Sequence, residues 1–382
     1  MQGKVDGRFH RVRDVFAEGF ASHGELGAAV AVTLDGELVV DLWDGFADRA
    51  KTRPWTESTL ANLFSVTKAW TAICAHRLVD EGKLDLDRPV ADYWPEFAQA
   101  DKGTLLVRAL LDHSAGLPAV REQLPPDALF DWSAMTSALA KETPWWKPET
   151  MHGYHAVTYG WLVGEVIRRA SGKTTGAYFR DHVAGPLGLD AHIGLAEVDD
   201  SRCAELRFMR PDPAAPPTFV QKLMAAPESM AMRAFSNPAA LVMPNIALGR
   251  AWRGAELPSI NGHGTARANA RLYGALACGG EALGYRVLEA DTITRARTER
   301  TRGQDAILDV PTRFGLGFML TQPEASFGPN ESGFGHPGLG GSLGFADPEA
   351  RVGFGYVTNM LGAHIQLDPR AERLIAALYE SL

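Results

Sequence analysis

Cysteine is scarce in this chain of 382 residues: Cys74, Cys203 and Cys278 stand far apart and are odd in number. Such a set excludes a disulfide framework or a cysteine-ligated zinc site and reads as reduced thiols. Basic clusters are missing as well. Lys and Arg total 38 against 46 Asp and Glu, the net charge is -8, and no lysine- or arginine-rich block occurs. That balance argues against a nucleic-acid partner. There is no apolar run of about 18 residues, so no membrane-spanning helix is expected. Residues 1–8 lack the apolar segment of an export signal, and the expected location is cytoplasmic. What is present is ordinary for a soluble globular protein, with 46% hydrophobic and 22% charged residues. The length suits one large domain or two intergrown ones.

The stretch that stands out is Phe64-Ser65-Val66-Thr67-Lys68. The residues after it, up to Val79, are largely apolar and end at Glu81-Gly82, a helix with a glycine stop. Ser65 therefore falls in the first helical turn, with Lys68 three residues on along the same face. A helix N-terminus offers free N–H groups and positive partial charge where an oxyanion forms. A desolvated lysine one turn away is able to take the serine proton. An isolated Ser-x-x-Lys is more often a capping serine followed by a solvated lysine, so the motif needs support from elsewhere in the chain.

Residues 8–22 read as an amphipathic helix, with Phe9, Val12, Val15, Phe16 and Phe20 on one face. Two β-rich runs, 27–34 and 37–43, flank Asp35-Gly36, a hairpin signal. Residues 104–112 read as a helix, 126–184 as mostly helical (158–170 and 175–183 most clearly), and 267–278 as another helix. Residues 185–260 are proline-rich with short apolar runs and no repeat. Short glycine-rich β runs follow at 314–320, 341–346 and 352–358, and the chain ends on a helix from Pro369. Strands at both ends with helices between predict an α+β fold. Its antiparallel sheet is built from both termini and flanked by helices, with a mostly helical domain inserted. We assign residues 1–60 and 275–382 to the sheet domain and 61–274 to the helical one, with the site in the cleft between them.

Two further stretches carry chemistry. Tyr154 precedes the helix at 158, and a nearby cation such as Lys68 would suit a tyrosine to proton transfer. The flanking His152 and His155 have no Cys, Asp or Glu cluster beside them, whereas zinc usually takes three protein ligands. The stretch Gly335-His336-Pro337-Gly338-Leu339-Gly340-Gly341-Ser342-Leu343-Gly344 leads glycines into a strand, permitting close backbone approach to a ligand. Within it lies a literal G-x-S-x-G around Ser342. That elbow requires a strand, a sharp turn and then a helix, yet Ser342 runs on into Phe345-Ala346-Asp347-Pro348, a strand and turn. The match is read as accidental.

Ser65-x-x-Lys68, Tyr154 before a helix and His336-x-Gly338 at a late strand resemble, in order and spacing, the serine β-lactamase and penicillin-recognising family. The likeness is closest to its class C-like esterase branch, the family VIII carboxylesterases. Leu110–Pro118, Gly164–Arg169 and Gly185–Leu189 add to the likeness, which spans roughly residues 15–380. The resemblance implies a serine carboxylesterase working through an acyl-enzyme, with a β-lactamase or D-Ala-D-Ala peptidase, or an acyltransferase or amide hydrolase, as alternatives on the same residues and a non-catalytic binding scaffold as a remote one. Ser65 is then the nucleophile, Lys68 and Tyr154 share the proton, and the backbone N–H groups of Ser65 and Leu339 hold the oxyanion. It implies no cofactor, no metal and a small-molecule ester as partner, for a monomer or small homo-oligomer away from membranes. His336, Gly338, Phe64, Trp145 and Trp146 are the expected substrate contacts.

The departures from the family pattern bear on substrate. Ala156 stands where the β-lactamases carry the asparagine of Tyr-x-Asn, and His336-Pro337-Gly338 where they carry Lys-Thr-Gly. Both losses fall on amide and carboxylate recognition, since alanine donates nothing and imidazole is mostly neutral at pH 7. That favours uncharged esters. Pro148-Glu149-Thr150 replaces the usual Pro-Gly-Thr and leaves the loop before Tyr154 without its glycine.

Overall fold

The computed structural model describes residues 1–210 and 216–382. Its centre is a nine-stranded antiparallel sheet drawn from both ends of the chain. The strands are β1 (Gln2–Val5), β2 (Gly27–Leu34), β3 (Glu37–Gly45), β4 (Thr301–Gln304), β5 (Pro311–Phe314), β6 (Met319–Leu320), β7 (Phe334–Pro337), β8 (Leu343–Asp347) and β9 (Val352–Thr358). They lie in the order β1-β3-β2-β9-β8-β7-β6-β5-β4. The N-terminal hairpin therefore joins the C-terminal strands through β2 and β9, paired from Leu34↔Val352 to Ala28↔Thr358. Asp35 (φ 52) and Gly36 (φ 83) both take the left-handed conformation that lets a two-residue turn follow the twist of its strands.

Helices cover both faces of the sheet. On one, α4 (Ala266–Ala277) lies against β9, β2 and β8. It comes unusually close because β9 presents glycines to it at alternate positions. A Cβ on Gly353 would sit 2.2 Å from the Gly274 nitrogen, and one on Gly355 would sit 2.2 Å from the Ala266 carbonyl. Tyr356, next along the strand, points the other way, toward α1 (His10–Ser22) and α5 (Pro369–Tyr379). Those terminal helices pack on each other through apolar stripes that include Val12, Val15, Phe16, Leu374, Ile375 and Leu378.

Between the strand groups the chain is mostly helical. α2 (Val66–Asp80) is buried on nearly every side, which explains why its sequence is apolar all round. It packs against α3 (Thr158–Ser171), and Trp70 stacks on Phe179 at 5.1 Å. Gly82 (φ 68) follows its last turn, and Gly172 (φ 73) closes α3. Residues 216–260 form helices of seven residues or fewer.

The run 314–320, read from sequence as one strand, is two. β5 ends at Phe314 and β6 begins at Met319, because Gly317 is left-handed (φ 88) and Gly315 packs directly on the Ala296 carbonyl. His336 lies inside β7, and the 341–346 run starts pairing only at Leu343, after a glycine turn.

The backbone contact between α4 and β9 leaves no room for a methyl group. Gly353→Ala should destabilise the fold by about 1–3 kcal/mol, the usual cost of overpacking. The check is the urea midpoint; an unchanged midpoint would show that this helix is free to move off the strand.

Candidate active site

Ser65 begins the turn into α2 with φ -69 and ψ -10, and its hydroxyl makes no capping bond. Phe64 before it is left-handed (φ 46), a conformation costing a non-glycine residue roughly 1–2 kcal/mol. Thr67 secures that strained turn. Its hydroxyl donates to the Phe64 carbonyl at 2.6 Å and accepts from the Gly262 N–H at 2.8 Å.

Lys68 is 0% exposed. Its Nζ lies 3.2 Å from Ser65 Oγ, 2.7 Å from the Ala156 carbonyl and 3.0 Å from the Ser259 carbonyl. Burial, with no carboxylate to offset it, holds the ammonium well below the usual lysine range. The solvated lysine and capping serine of an incidental Ser-x-x-Lys are thus both absent from this turn.

Tyr154 reaches the same point from the segment before α3. Its ring lies 4.6 Å from Lys68 Nζ, and Tyr154 and Ser65 line the same cavity. Burial pushes the phenol above its ordinary range, more than the neighbouring Ser65 lowers it. Glu149 takes the left-handed conformation (φ 62) that a glycine would adopt in the loop leading to Tyr154. Its N–H donates to the Ser114 carbonyl at 3.0 Å, and its carboxylate pairs with Arg108 at 3.0 Å. The loop thereby keeps its shape without the glycine.

β7 and the turn after it close the site from the sheet side. Gly338 packs on the segment before the serine so tightly that a Cβ would sit 2.2 Å from the Leu63 carbonyl. Neither the Ser65 N–H nor the Leu339 N–H meets an acceptor among the described residues, and both residues line one cavity. His336 is 2% exposed, and its Nδ1–H donates to the Pro337 carbonyl at 2.7 Å. Nε2 is left as an acceptor with no partner among the described residues. Burial, then the Lys68 charge, drives the imidazole down to about 3, so the ring is neutral at ordinary pH.

The cavity beside Ser65 has a volume of ≈ 120 Å³. Phe64, Tyr154, Ala156, His336 and Leu339 form part of its wall, and no Lys, Arg, Asp or Glu lines it. Trp145 and Trp146 stand elsewhere. The Trp145 indole donates to the Ala119 carbonyl at 2.8 Å with Arg121 over its ring, and Trp146 donates to the Ser114 carbonyl at 3.3 Å. Apolar walls that sequence reasoning missed come from Phe235, Leu241, Trp252 and Ile260, on the short helices and loops of the proline-rich region. Helical segments of four to seven residues are too brief to show a helical period.

Ser342 is buried in the glycine turn, outside the cavity wall, and leads into β8 rather than a helix. His152 and His155 serve the protein interior. His152 Nε2 meets Thr312 at 2.8 Å, while His155 donates to the Gly153 carbonyl and accepts from the Leu117 N–H. No group of three metal-ligating side chains occurs among the described residues, nor any helix long and apolar enough to cross a membrane. A larger cavity of ≈ 780 Å³, around Trp132, Glu165 and Arg168, shares no lining residue with the one at Ser65. Several of its charges pair with one another, as Glu165 does with Arg168 and Arg169 at 2.7 Å, so volume alone does not make it the reactive centre.

A half-buried serine at a helix start, a fully buried lysine 3.2 Å from its hydroxyl with a depressed pKa, and a tyrosine ring 4.6 Å from that lysine suit a serine-hydrolase type of site on a mixed α and β scaffold. Comparison with known proteins agrees: the beta-lactamase family model matches residues 12–377, and the chain belongs to that family of serine hydrolases. It is similar to "Esterase/beta-lactamase LipL" of Mycobacterium tuberculosis, 40% identical over 365 residues, covering 94% of this chain and 83% of that protein. Among solved structures, a penicillin-binding protein homologue from Caulobacter crescentus aligns at TM-score 0.91 with 43% identity, covering 100% of this chain and 99% of that one. A family VIII carboxylesterase aligns at TM-score 0.90 with 40% identity and the same coverage.

Gly338 lets the turn before Leu339 pack against the segment before Ser65, where a Cβ would sit 2.2 Å from the Leu63 carbonyl. Gly338→Ala should slow fluorophosphonate labelling of the protein by about 10²-fold, the scale of losing one oxyanion donor. An unchanged labelling rate in the folded variant would remove Leu339 from the site.

Proposed function

We propose that the protein is a carboxylesterase hydrolysing small, short-acyl, uncharged esters through an acyl-enzyme on Ser65. The observation that carries this reading is the Lys68 Nζ, 3.2 Å from Ser65 Oγ with two carbonyls beside it. A neutral amine gives its two hydrogens to the Ala156 and Ser259 carbonyls and turns its lone pair toward the Ser65 hydroxyl. We therefore assign Lys68 as the resting base and Tyr154 as a protonated phenol, in keeping with the opposite directions in which burial moves the two groups. Ser65 Oγ attacks the ester carbonyl carbon as its proton passes to Lys68. The Ser65 and Leu339 N–H groups receive the oxyanion. Lys68, through Tyr154, returns the proton to the departing alkoxide, and water then cleaves the acyl-enzyme by the same groups to release the acid.

The site falls between the parts we assign to 61–274 and to 1–60 with 275–382: Ser65, Lys68 and Tyr154 belong to the first, His336 and Leu339 to the second. An uncharged substrate fits a wall without formal charge, since a buried carboxylate there would lack a partner. The cavity beside Ser65 is small, ≈ 120 Å³, which favours a short acyl group over a long one.

The test is hydrolysis of p-nitrophenyl butyrate by folded wild type, Ser65→Ala and Ser342→Ala. Ser65→Ala should lose roughly 10⁴-fold or more in kcat and Ser342→Ala at most about threefold. Loss confined to Ser342→Ala would move the nucleophile, and turnover of a chromogenic cephalosporin at the ester's rate would overturn the preference for esters.

The pH dependence follows from Lys68. Because its folded pKa is depressed, the reactive amine is present above that pKa and is lost as pH falls through it. kcat/KM should decline on the acid side, and Lys68→Met should abolish activity at every pH. A pH-rate profile with no acid limb would transfer the base role to another group.

A further inference from the structure

The segment that carries Tyr154 is held by a carboxylate from 151 positions along the chain. Asp305, at the turn after β4, is 1% exposed. Its Oδ1 accepts the Tyr154 N–H at 3.0 Å together with the N–H groups of Ile307 at 2.8 Å and Leu308 at 2.9 Å. Its Oδ2 lies 3.3 Å from the Thr312 hydroxyl, whose oxygen is 2.8 Å from His152 Nε2. Thr312 has a single proton. Given to the carboxylate, it leaves the threonine oxygen to accept from His152 Nε2–H, so the chain runs from His152 through Thr312 to Asp305. The Ala306 N–H completes the stitch by donating to the His152 carbonyl at 3.2 Å.

We propose that Asp305 is a positioning residue for the hydrolysis, fixing the main chain of Tyr154 so that its hydroxyl stays beside Ser65. The inference rests on the role given to Tyr154 above. The reason is geometric. Tyr154 is bonded through its own N–H to a group that also closes the 305–308 turn, and Leu308 from that turn lines the Ser65 cavity. One buried anion thus sets both the proton carrier and part of the substrate wall.

Its charge has a second consequence. The ionisable groups facing Tyr154 are Lys68 from α2 at 4.6 Å, His113 at 5.0 Å and His336 from β7 at 6.0 Å, with Tyr159 beyond His113. Burial pushes all three cationic candidates toward neutrality, and His155 with them. Asp305 is the carboxylate that acts on the phenol, and it opposes ionisation. Burial raises the Asp305 carboxyl itself, and the backbone donors and His152 lower it again. His152 is pushed down by burial, while Asp305 and Asp112 raise it.

Two substitutions separate the pin from the charge. Asp305→Asn keeps an oxygen for the three N–H donors, and its amide donates to Thr312, which then donates to His152 Nε2. Asp305→Ala removes the pin. With p-nitrophenyl butyrate, Asp305→Ala should lose about 10- to 100-fold in kcat with KM changed by at most about twofold, the signature of a misplaced catalytic group. Asp305→Asn should recover at least about tenfold of that loss.

An Asp305→Ala variant within twofold of wild-type kcat, beside an inactive Tyr154→Phe, overturns this inference alone. So does an Asp305→Asn as impaired as Asp305→Ala, which would mark a merely structural contact. A fully active Tyr154→Phe overturns the role of Tyr154 and this inference with it. If Asp305→Ala does not fold, Asp305→Glu decides in its place, since its longer side chain displaces the pin: kcat lowered at unchanged KM upholds the inference, and wild-type kcat ends it.

Discussion

The structure turns on an amine sealed from water. An unpaired lysine ammonium moved into a protein interior costs several kcal/mol, and no carboxylate among the described residues pairs with Lys68 to offset it, so burial favours its neutral form. Selecting it requires acceptors for the two remaining hydrogens, and both come from main chain. One is the Ala156 carbonyl before α3; the other is the Ser259 carbonyl, on a loop whose approach depends on Gly160, where a Cβ would sit 2.9 Å from the Ser259 nitrogen. The Ser259 hydroxyl in turn donates to the Val157 carbonyl at 2.8 Å. Helix packing and proton chemistry share the same few atoms here.

The same economy of distance recurs where the sheet meets the helices. Gly338 lets β7 touch the serine turn, and Gly353 and Gly355 let α4 touch β9. The turn after Gly338 is braced from behind by a buried ionic cluster. Arg370 donates to the Gly340 carbonyl at 2.9 Å, pairs with Asp368 at 2.8 Å and lies 3.1 Å from Glu25. Glu25 also accepts from Tyr356 and Thr358. Burying several charges adds little net stability compared with apolar packing. What such a cluster supplies is direction: it ties the terminal helix to the turn that presents Leu339. A sheet made from both chain ends is well suited to hold a turn in this way.

How much of this could be read beforehand depends on the range of the interactions. The Ser65–Lys68 turn, the helix after it and the Asp35-Gly36 hairpin are local, set by periodicity and by residues within a turn of one another, and the sequence displays them. The missing glycine at Glu149 was visible, but not that an Arg108 ion pair and the Ser114 carbonyl would hold a non-glycine residue in the same conformation. The single run at 314–320 misled because its apolar residues continue through a turn that only the φ of Gly317 reveals. Phe235, Leu241 and Trp252 were hidden for a different reason. Each is the inward residue of a segment too short to repeat, so nothing marks it until the chain has folded around Ser65. Trp145 and Trp146 showed the converse, conspicuous in sequence yet engaged with the 114–121 loop.

A family fold does not by itself choose a substrate; the site does. On the reading proposed here, two positions change what this site is able to hold while the reacting side chains stay the same. Ala156 offers the cavity a methyl group, and its carbonyl is already occupied by Lys68. His336 offers a neutral ring whose donor is spent on Pro337 and whose remaining nitrogen only accepts. A substrate carboxylate would face that lone pair, in a wall that carries no positive charge. Protonating His336 would supply one, but burial first, and then Lys68 whenever it is charged, hold its pKa down at about 3. On that reading, the burial that depresses Lys68 also keeps the pocket uncharged, and the proposed preference for neutral esters rests on that same burial.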